Sequence, residues 1–254
     1  MIIDFYKYQG TGNDFIMIDD REVFFDLLDK KLISSLCNRK TGIGADGLII
    51  LRNHSDYDFE MIYFNSDGSE STMCGNGGRC IIDFANMLNI IDDTTRFLAV
   101  DGEHEGKILK DTVTIKMQDV NVVKKQGNDF ILDTGSPHYV KIVDNVIDIN
   151  VNDLGKKIRD KYKEGINVNF IEFDKEVNIR TYERGVESET LSCGTGVIAS
   201  AIALNYSNQI AENNICVNTQ GGQLIVSFDK IDGKYSNIWL TGAASMVYSG
   251  EFSC

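Results

Sequence analysis

Proline and histidine are almost missing from this chain of 254 residues: there is one proline, Pro137, and three histidines, His54, His104 and His138. Glycine and asparagine must therefore make most of the turns. The six cysteines, at positions 37, 74, 80, 193, 216 and 254, include no Cys-x-x-Cys pair. With so few histidines beside them, a metal site is poorly supported. Basic residues are the minority charge, 25 against 38 acidic, for a net charge of −13. No basic cluster is present to grip a phosphate backbone, which argues against nucleic acid as a partner. A small zwitterionic or cationic substrate remains open. No apolar run approaches the ~20 residues that span a bilayer. The opening, Met1-Ile2-Ile3-Asp4-Phe5-Tyr6-Lys7, lacks the charged-then-apolar layout of a secretory signal. These absences predict a cytoplasmic protein with no membrane partner, whose cysteines are mostly thiols.

What is present is a hydrophobic content of 43%, enough for real cores, in a length that fits one large domain or two ordinary ones. Ile2 to Gln9 and Phe15 to Asp19 read as a hairpin around Gly10-Thr11-Gly12-Asn13-Asp14. Asp26 to Arg39 carries helical periodicity, with Leu27, Leu28, Leu32, Ile33 and Leu36 on one side. Strands are predicted at Leu48 to Leu51, Tyr57 to Asn65, Phe97 to Val100 and Thr112 to Met117. A second unit is predicted from about Gln118, with strands at Phe130 to Asp133, Tyr139 to Val143, Asn167 to Phe173 and Val177 to Glu183. A polar helix is predicted over Asn152 to Tyr162, and four strands from Ile215 to Glu251 finish the chain. The implied domains are 1–117 and 118–242.

Two Cys-Gly-x-Gly segments stand out, Cys74-Gly75-Asn76-Gly77 and Cys193-Gly194-Thr195-Gly196, 119 residues apart. Each precedes a run that reads as a buried helix, Arg79 to Met87 and Val197 to Leu204, apolar almost all round. The spacing suggests two related halves, each with a cysteine at a helix start. Helix N-termini carry outward N–H groups and partial positive charge, which favour the reactive thiolate. Two such cysteines facing one another would form a proton-transfer pair. A lone cysteine before a helix is more often a small buried hydrophobe. Two copies of one local pattern shift the balance toward chemistry. Cys37, Cys80, Cys216 and Cys254 lack the flanking glycines, and Cys80 reads as core.

Gly42-x-Gly44-x-x-Gly47 fits the dinucleotide fingerprint, but that fingerprint follows a strand and opens a helix; here a helix precedes and a strand follows. Glu183-Arg184-Gly185 ends a strand before the second cysteine and reads either as a surface ion pair or as a carboxylate fork. His138 could shape its turn or tune a neighbouring acid or base. Asn13, Asn65, Asn76 and Asn167 fall at strand ends or in glycine loops. Each alone suits a turn; as a set they would line a polar pocket.

These residues together resemble the diaminopimelate epimerase family along nearly the whole chain. The motifs are Gly10-Thr11-Gly12-Asn13-Asp14-Phe15, Gly42-Ile43-Gly44-Ala45-Asp46-Gly47, Phe64-Asn65-Ser66-Asp67-Gly68-Ser69 and Met73 to Cys80 in the first half. Gly135-Ser136-Pro137-His138, Tyr182-Glu183-Arg184-Gly185, Glu189 to Gly196, Gly221-Gly222 and Leu240-Thr241-Gly242 continue the order. The resemblance implies an α/β (α+β) fold of two pseudo-symmetric domains, each a mixed β-sheet rolled around a central helix, with a last strand at 243–254 returning to the first. It implies catalysis without cofactor or metal in a cleft between them, and a homodimer. Cys74 and Cys193 would be the catalytic thiols, one removing the α-proton and the other reprotonating the opposite face, assisted by His138 and Glu183. Gly75, Asn76, Gly194 and Thr195 would bind the α-carboxylate, and Asn13, Asn65, Asn167 and Arg184 the distal amino acid head. The implied activity interconverts L,L- and meso-diaminopimelate for lysine and peptidoglycan precursors.

Several positions depart from the commonest family pattern. Gly47 stands where Gln is frequent, Ser136 where Asn is, and Ala243 where Pro is, while Val186-Glu187-Ser188 is slightly long. Other readings are a related racemase of another amino acid, such as histidine, or a non-catalytic amino acid binder of the same fold. The proline racemase branch fits less well, because Asn76 and Glu189-Thr190-Leu191-Ser192 do not match its pattern. A thiol–disulfide oxidoreductase lacks its CxxC motif here.

Overall fold

The structure, a computed structural model, describes residues 2–253; Cys254, the sixth cysteine, lies outside them. In chain order the elements are β1 (Ile2–Gly10), β2 (Asn13–Asp19), α1 (Lys30–Cys37), β3 (Gly47–Arg52), β4 (Glu60–Asn65), β5 (Glu70–Ser71), α2 (Gly75–Met87), β6 (Thr94–Ala99), β7 (Gly102–Leu109) and β8 (Thr112–Met117). They continue as β9 (Val123–Gln126), β10 (Asp129–Asp133), β11 (Pro137–Ile142), α3 (Val151–Arg159), β12 (Asn167–Phe173), β13 (Val177–Glu183), β14 (Ser188–Thr190) and α4 (Gly194–Tyr206). The last four are β15 (Asn214–Thr219), β16 (Gly222–Ile231), β17 (Lys234–Gly242) and β18 (Ser245–Ser253). Two compact units result: Met1–Ile115 with Ala243–Cys254, and Lys116–Gly242.

In the first unit β1 pairs antiparallel with β18 and β2, β2 runs parallel to β3, and β3 pairs antiparallel with β4. β5 adds to β4, which also runs parallel to β6, and β6, β7 and β8 form a meander. Parallel neighbours need a crossover, and α1 and α2 lie in the two crossovers. The second unit repeats this order. β10 pairs antiparallel with β9 and β11, and β11 runs parallel to β12 across α3. β12 pairs with β13, β13 with β14, and β13 runs parallel to β15 across α4. β16 and β17 follow antiparallel.

Strand side chains alternate between faces, so a strand covered on both sides reads as an unbroken apolar run. Leu48-Ile49-Ile50-Leu51 is such a run, and all four residues are buried. Leu48 and Ile50 join Ile16, Ile18, Ile33, Leu36 and Cys37 in a core under α1. Ile49 points the other way, to the first turn of α2, where a Cβ on Gly77 would lie 2.9 Å from its Cδ1. In the second unit Val168 and Phe170 pack with Val151 and Tyr182 under α3. Around α4, every residue from Gly196 to Asn205 is buried.

Four sequence expectations change. The helix predicted over Asp26 to Arg39 begins only at Lys30 and ends at Cys37. Asp26 Oδ1 accepts the Leu28 amide at 2.9 Å, making a local turn, and Asp29 Oδ1 accepts that of Leu32 at 2.9 Å as the N-cap. Leu28 is accordingly 89% exposed rather than on the buried side. The helix predicted over Asn152 to Tyr162 spans Val151–Arg159, capped by Asn150. The two buried helices begin earlier than expected, directly after each cysteine. Strands β5, β7, β9 and β14 were not anticipated; β9 is Val-Lys-Lys-Gln, and β5 and β14 have two and three residues, so none of these three shows an apolar alternation.

If the Asp29 cap fixes the start of α1, Asp29→Ala should cost about 1 kcal/mol in stability. Urea unfolding monitored by circular dichroism would measure it. Asp26→Ala, outside the helix, should cost less.

Candidate functional site

Each unit builds its candidate site at one place, the start of its buried helix. Cys74 is the N-cap of α2, with extended backbone (φ −102°, ψ 133°), and Cys193 is the N-cap of α4 (φ −123°, ψ 107°). Neither side chain caps its own helix. The first intrahelical bonds run from Gly78 N to Cys74 O at 2.7 Å and from Val197 N to Cys193 O at 2.9 Å. Helix geometry then directs the amides of residues 75–77 and 194–196 outward at the helix starts, where an anionic group is favoured. The first turns fit only because they are nearly bare. A Cβ on Gly196 would lie 2.3 Å from Asn169 Oδ1.

In the first unit the β1–β2 hairpin turns through Thr11 (φ 50°) and Gly12 (φ 84°), positive at both central positions, as a tight right-twisted hairpin requires. A β-branched residue is strained there. Thr11 is held by its hydroxyl, which donates to Asn76 Oδ1 at 3.3 Å and accepts from Arg79 Nη2 at 3.2 Å. Asn13 follows the turn. Its Nδ2 donates to Asp46 Oδ2 at 2.7 Å, and its Oδ1 accepts from Asn76 Nδ2 at 3.5 Å. Cys74 Sγ lies 3.8 Å from the same Oδ1. Asn13, Asn76 and Cys74 are thus one cluster. Asn65 ends β4 directly opposite Gly47, and its Nδ2 donates to Ser69 Oγ at 3.3 Å.

Beneath the cluster lies Arg79, fully buried, which the sequence reading passed over as the first residue of an apolar helix. Its guanidinium donates to Gly75 O (3.2 Å), Asn76 Oδ1 (3.1 Å), Thr11 Oγ1 (3.2 Å) and Ala243 O (3.5 Å), all neutral acceptors. Burial pushes its pKa down, while negative charge on Cys80 or Cys74 pushes it back up. The readable signal was an arginine inside an otherwise apolar helix, since a buried cation needs a reason. Cys80 is fully buried and burial raises its thiol pKa far above the ordinary range; Cys37 is pushed up to about 12. Those two are core thiols. Cys216 is exposed.

In the second unit Cys193 Sγ lies 3.5 Å from Thr195 Oγ1. Thr134, in the β10–β11 turn, donates its hydroxyl to Thr195 O at 3.0 Å. The ladders place Phe15 beside Gly47 and His138 beside Asn167, so Thr134 stands in its turn where Thr11 stands in the other. The paired segments Thr11-Gly12-Asn13-Asp14-Phe15 and Thr134-Gly135-Ser136-Pro137-His138 are a second repeat that the sequence reading missed.

His138 is fully buried, and Asn169 Nδ2 lies 3.0 Å from its Nδ1. Asn169 Oδ1 accepts from Thr181 Oγ1 at 2.9 Å, which fixes the amide so that Nδ2 donates. Asn167 Nδ2 lies 3.5 Å from Nε2, so the buried ring is set between two amide groups. Burial, and next the positive charge of Arg184, push the His138 pKa down to about 3. Asn167 is almost wholly engaged: its Nδ2 donates to Ser136 Oγ at 2.8 Å and its Oδ1 accepts the Arg184 amide at 2.8 Å. Glu183 ends β13, with its Oε2 accepting from Thr190 Oγ1 at 2.9 Å. Arg184 is exposed, and its Nη1 donates to Glu164 O at 3.3 Å. Glu189 is clamped by Arg180 through two bonds, at 2.6 and 2.7 Å, which pins β14 ahead of Cys193. His138, Asn167, Glu183 and Arg184 therefore gather at one end of the second sheet, while Thr195 adjoins Cys193.

Among the described residues no group of three or more His, Cys, Asp or Glu side chains clusters as metal ligands do. No helix among them is long and apolar enough to cross a membrane.

The fold has known counterparts. A phenazine biosynthesis protein of the PhzF family from Bacillus anthracis superposes with a TM-score of 0.80 over 100% of both chains, at 13% identity. A probable proline racemase from Agrobacterium radiobacter K84 gives 0.69, covering 99% of this chain and 92% of that one, at 14% identity. These likenesses define the fold class: two repeated halves of mixed sheet with few helices. Sequence narrows it. The family model described as diaminopimelate epimerase matches residues 5–123 and 130–247. A diaminopimelate epimerase of Flavobacterium psychrophilum is 50% identical over 249 residues, 96% of this chain and 97% of that protein. One from Aquifex aeolicus is 35% identical over 275 residues, 99% and 98% of the two chains. The chain belongs to the diaminopimelate epimerase family.

The His138 environment predicts a pH dependence. The native ring stays neutral down to about pH 3, whereas in the unfolded chain it ionises near 6.5. Acid therefore favours the unfolded chain. The stability present above that value falls, by up to ~1.4 kcal/mol per pH unit, as pH drops toward the native pKa. His138→Gln should flatten the slope of unfolding free energy against pH between pH 6 and 4. The imidazole signals of His138 should stay unchanged from pH 8 to 5 in an NMR titration.

Proposed function

We propose that this enzyme, an isomerase of the diaminopimelate epimerase family that works without pyridoxal phosphate, inverts the α-carbon of diaminopimelate between its L,L and meso forms with Cys74 and Cys193 as the two acid–base groups. The single observation that supports this most is that each unit places a cysteine, followed by a bare glycine turn, as the N-cap of its buried helix.

The chemistry asks for that arrangement. An amino acid Cα–H is a very weak acid, so its removal needs an oriented base, stabilisation of the developing negative charge, and exclusion of water. One cysteine as thiolate takes the α-proton, and the electron pair left behind delocalises onto the carboxylate. The other cysteine, as thiol, delivers its proton to the opposite face of the carbon. The substrate need not turn over between the steps, and the thiolate and thiol roles have exchanged at the end. The outward amides at Gly75, Asn76, Gly194 and Thr195 would meet the α-carboxylate as its negative charge grows. Asn13, Asn65 and Arg184 would hold the distal head. Asn167, occupied by Ser136 and Arg184, would act by setting the backbone at Arg184. His138, buried between Asn167 and Asn169, would assist at the reacting centre, and Glu183 would serve as an acceptor for an ammonium.

The product serves lysine synthesis and peptidoglycan precursors. We place the enzyme in the cytoplasm as a homodimer, which sedimentation would report as twice the chain mass. A second reading, racemisation of another amino acid such as histidine, draws on Gly47 and Ser136, which lack the amides frequent at those positions.

In heavy water with a thiol reductant, the protein should exchange the α-hydrogen of L,L-diaminopimelate and form the meso isomer. Cys74→Ser and Cys193→Ser should each lower kcat by roughly 10²–10⁴. Full activity in either variant would sink the two-thiol mechanism. L-Histidine run in parallel should stay stereochemically intact; turnover of histidine alone would move the assignment to the second reading.

A further inference from the structure

Gly47 is a glycine for a reason other than its backbone. It opens β3 with no positive φ, between Phe15 of β2 and Asn65 of β4. What forbids a side chain there is space. A Cβ on Gly47 would lie 2.6 Å from Tyr63 Cε2, 2.6 Å from Phe64 O and 3.2 Å from the Tyr63 hydroxyl oxygen. The Tyr63 phenol occupies the room that residue 47 leaves.

Its direction follows from the register. Tyr63 sits opposite Ile49, and Asn65 opposite Gly47, so these four residues share one face of the sheet. That face meets the first turn of α2: a Cβ on Gly77 would lie 2.9 Å from Ile49 Cδ1 and 3.4 Å from Phe15 Cζ. The Tyr63 ring leans along this face from its own position toward Gly47, and Phe15 holds it edge-on with centroids 5.9 Å apart at 77°. The hydroxyl is carried to the strand end where Asn65 stands, on the face that α2 covers. The phenol is half-buried, neither sealed in the core nor lying on the surface.

We propose that Tyr63 is a specificity-determining residue of the first unit, its hydroxyl presenting to the amino acid substrate the polar group that a side chain at position 47 would otherwise present. This rests on the stereoinversion reading above. A phenol hydroxyl can donate to a carboxylate or accept from an ammonium, so it suits the zwitterionic head of an amino acid. It is stiffer than a carboxamide side chain, with only two side-chain torsions and a ring packed against Phe15. The pair Gly47 and Tyr63 is then one unit of recognition: the glycine makes room and the tyrosine fills it with a hydrogen-bonding tip.

The test separates the hydroxyl from the packing. Tyr63→Phe keeps the ring against Gly47 and removes only the oxygen. With L,L-diaminopimelate it should raise KM about tenfold or more, the loss of a hydrogen bond to a charged group. Its kcat should stay within about threefold, a KM-against-kcat split that a packing role alone would not give. Gly47→Gln should lose most activity through collision with the ring and with the Phe64 carbonyl oxygen. An unchanged KM in Y63F, or undiminished activity in G47Q with Tyr63 present, would overturn the assignment. Wild-type protein inert toward the substrate would defeat the stereoinversion reading and this one with it. Wild-type turnover with an unchanged Y63F KM would remove only the role of Tyr63.

Discussion

The close approach of each buried helix's first turn to the strands beside it is the constraint from which the sites follow. At Gly77 a methyl group would press on Ile49, and at Gly196 on the side chain of Asn169. Such contacts leave no room for ordinary residues, so the turn is built from glycine and the amides of its backbone are brought within reach of the site. The residue before that turn is extended, and in both units it is cysteine. Hairpin threonines complete the fit, Thr11 to the Asn76 side chain and Thr134 to the Thr195 carbonyl. Sulfur position, amide direction and helix depth are thus one geometric decision made twice.

The repeated frame carries different fillings, and the differences are electrical. Five residues after Cys74 stands Arg79, a buried cation with neutral acceptors around it; five after Cys193 stands Ile198, buried and apolar. Phe15 opens the β2–β3 pairing where His138 opens β11–β12, and Gly47 stands where Asn167 does. Arg79 places a fixed positive charge on one side only, and its own pKa responds to charge on Cys74. The repeated backbones thus carry different charge at corresponding positions.

The two cysteine segments and most strands were legible because their signals are local. Cys-Gly-x-Gly is four consecutive residues, and Leu48 to Leu51 is apolar on both faces because both faces are covered. What stayed hidden depends on partners far along the chain. β9 and β7 are strands by pairing, not by pattern, since their exposed faces carry Lys and Glu. α1 shows helical spacing from Asp26, yet Asp26 and Asp29 spend their carboxylates on nearby amides and delay the start. The hydrogen bonds of Asn167 could not be read from its neighbours in sequence. Its amide bonds Ser136, 31 residues earlier, and the amide of Arg184, 17 later, and only the β11–β12–β13 order brings those together.

Positions that depart from a family pattern are easily taken as losses, and the two at this site show why that inference fails physically. At Ser136 the shorter side chain still offers a hydroxyl, and Asn167 Nδ2 comes to it at 2.8 Å. A polar contact is made there through the hydroxyl. At Gly47 the side chain is gone, but the volume is not empty, because Tyr63 lies across it. A buried or half-buried site is close-packed, so a deletion at one position is answered by whichever neighbour can lean in. The neighbour that leans in brings its own chemistry, here a phenol. The packing there then belongs to a volume shared by several residues. Comparing residue 47 alone registers an absence where the sheet face, taken with Tyr63 and Phe15, retains both packing and a polar tip.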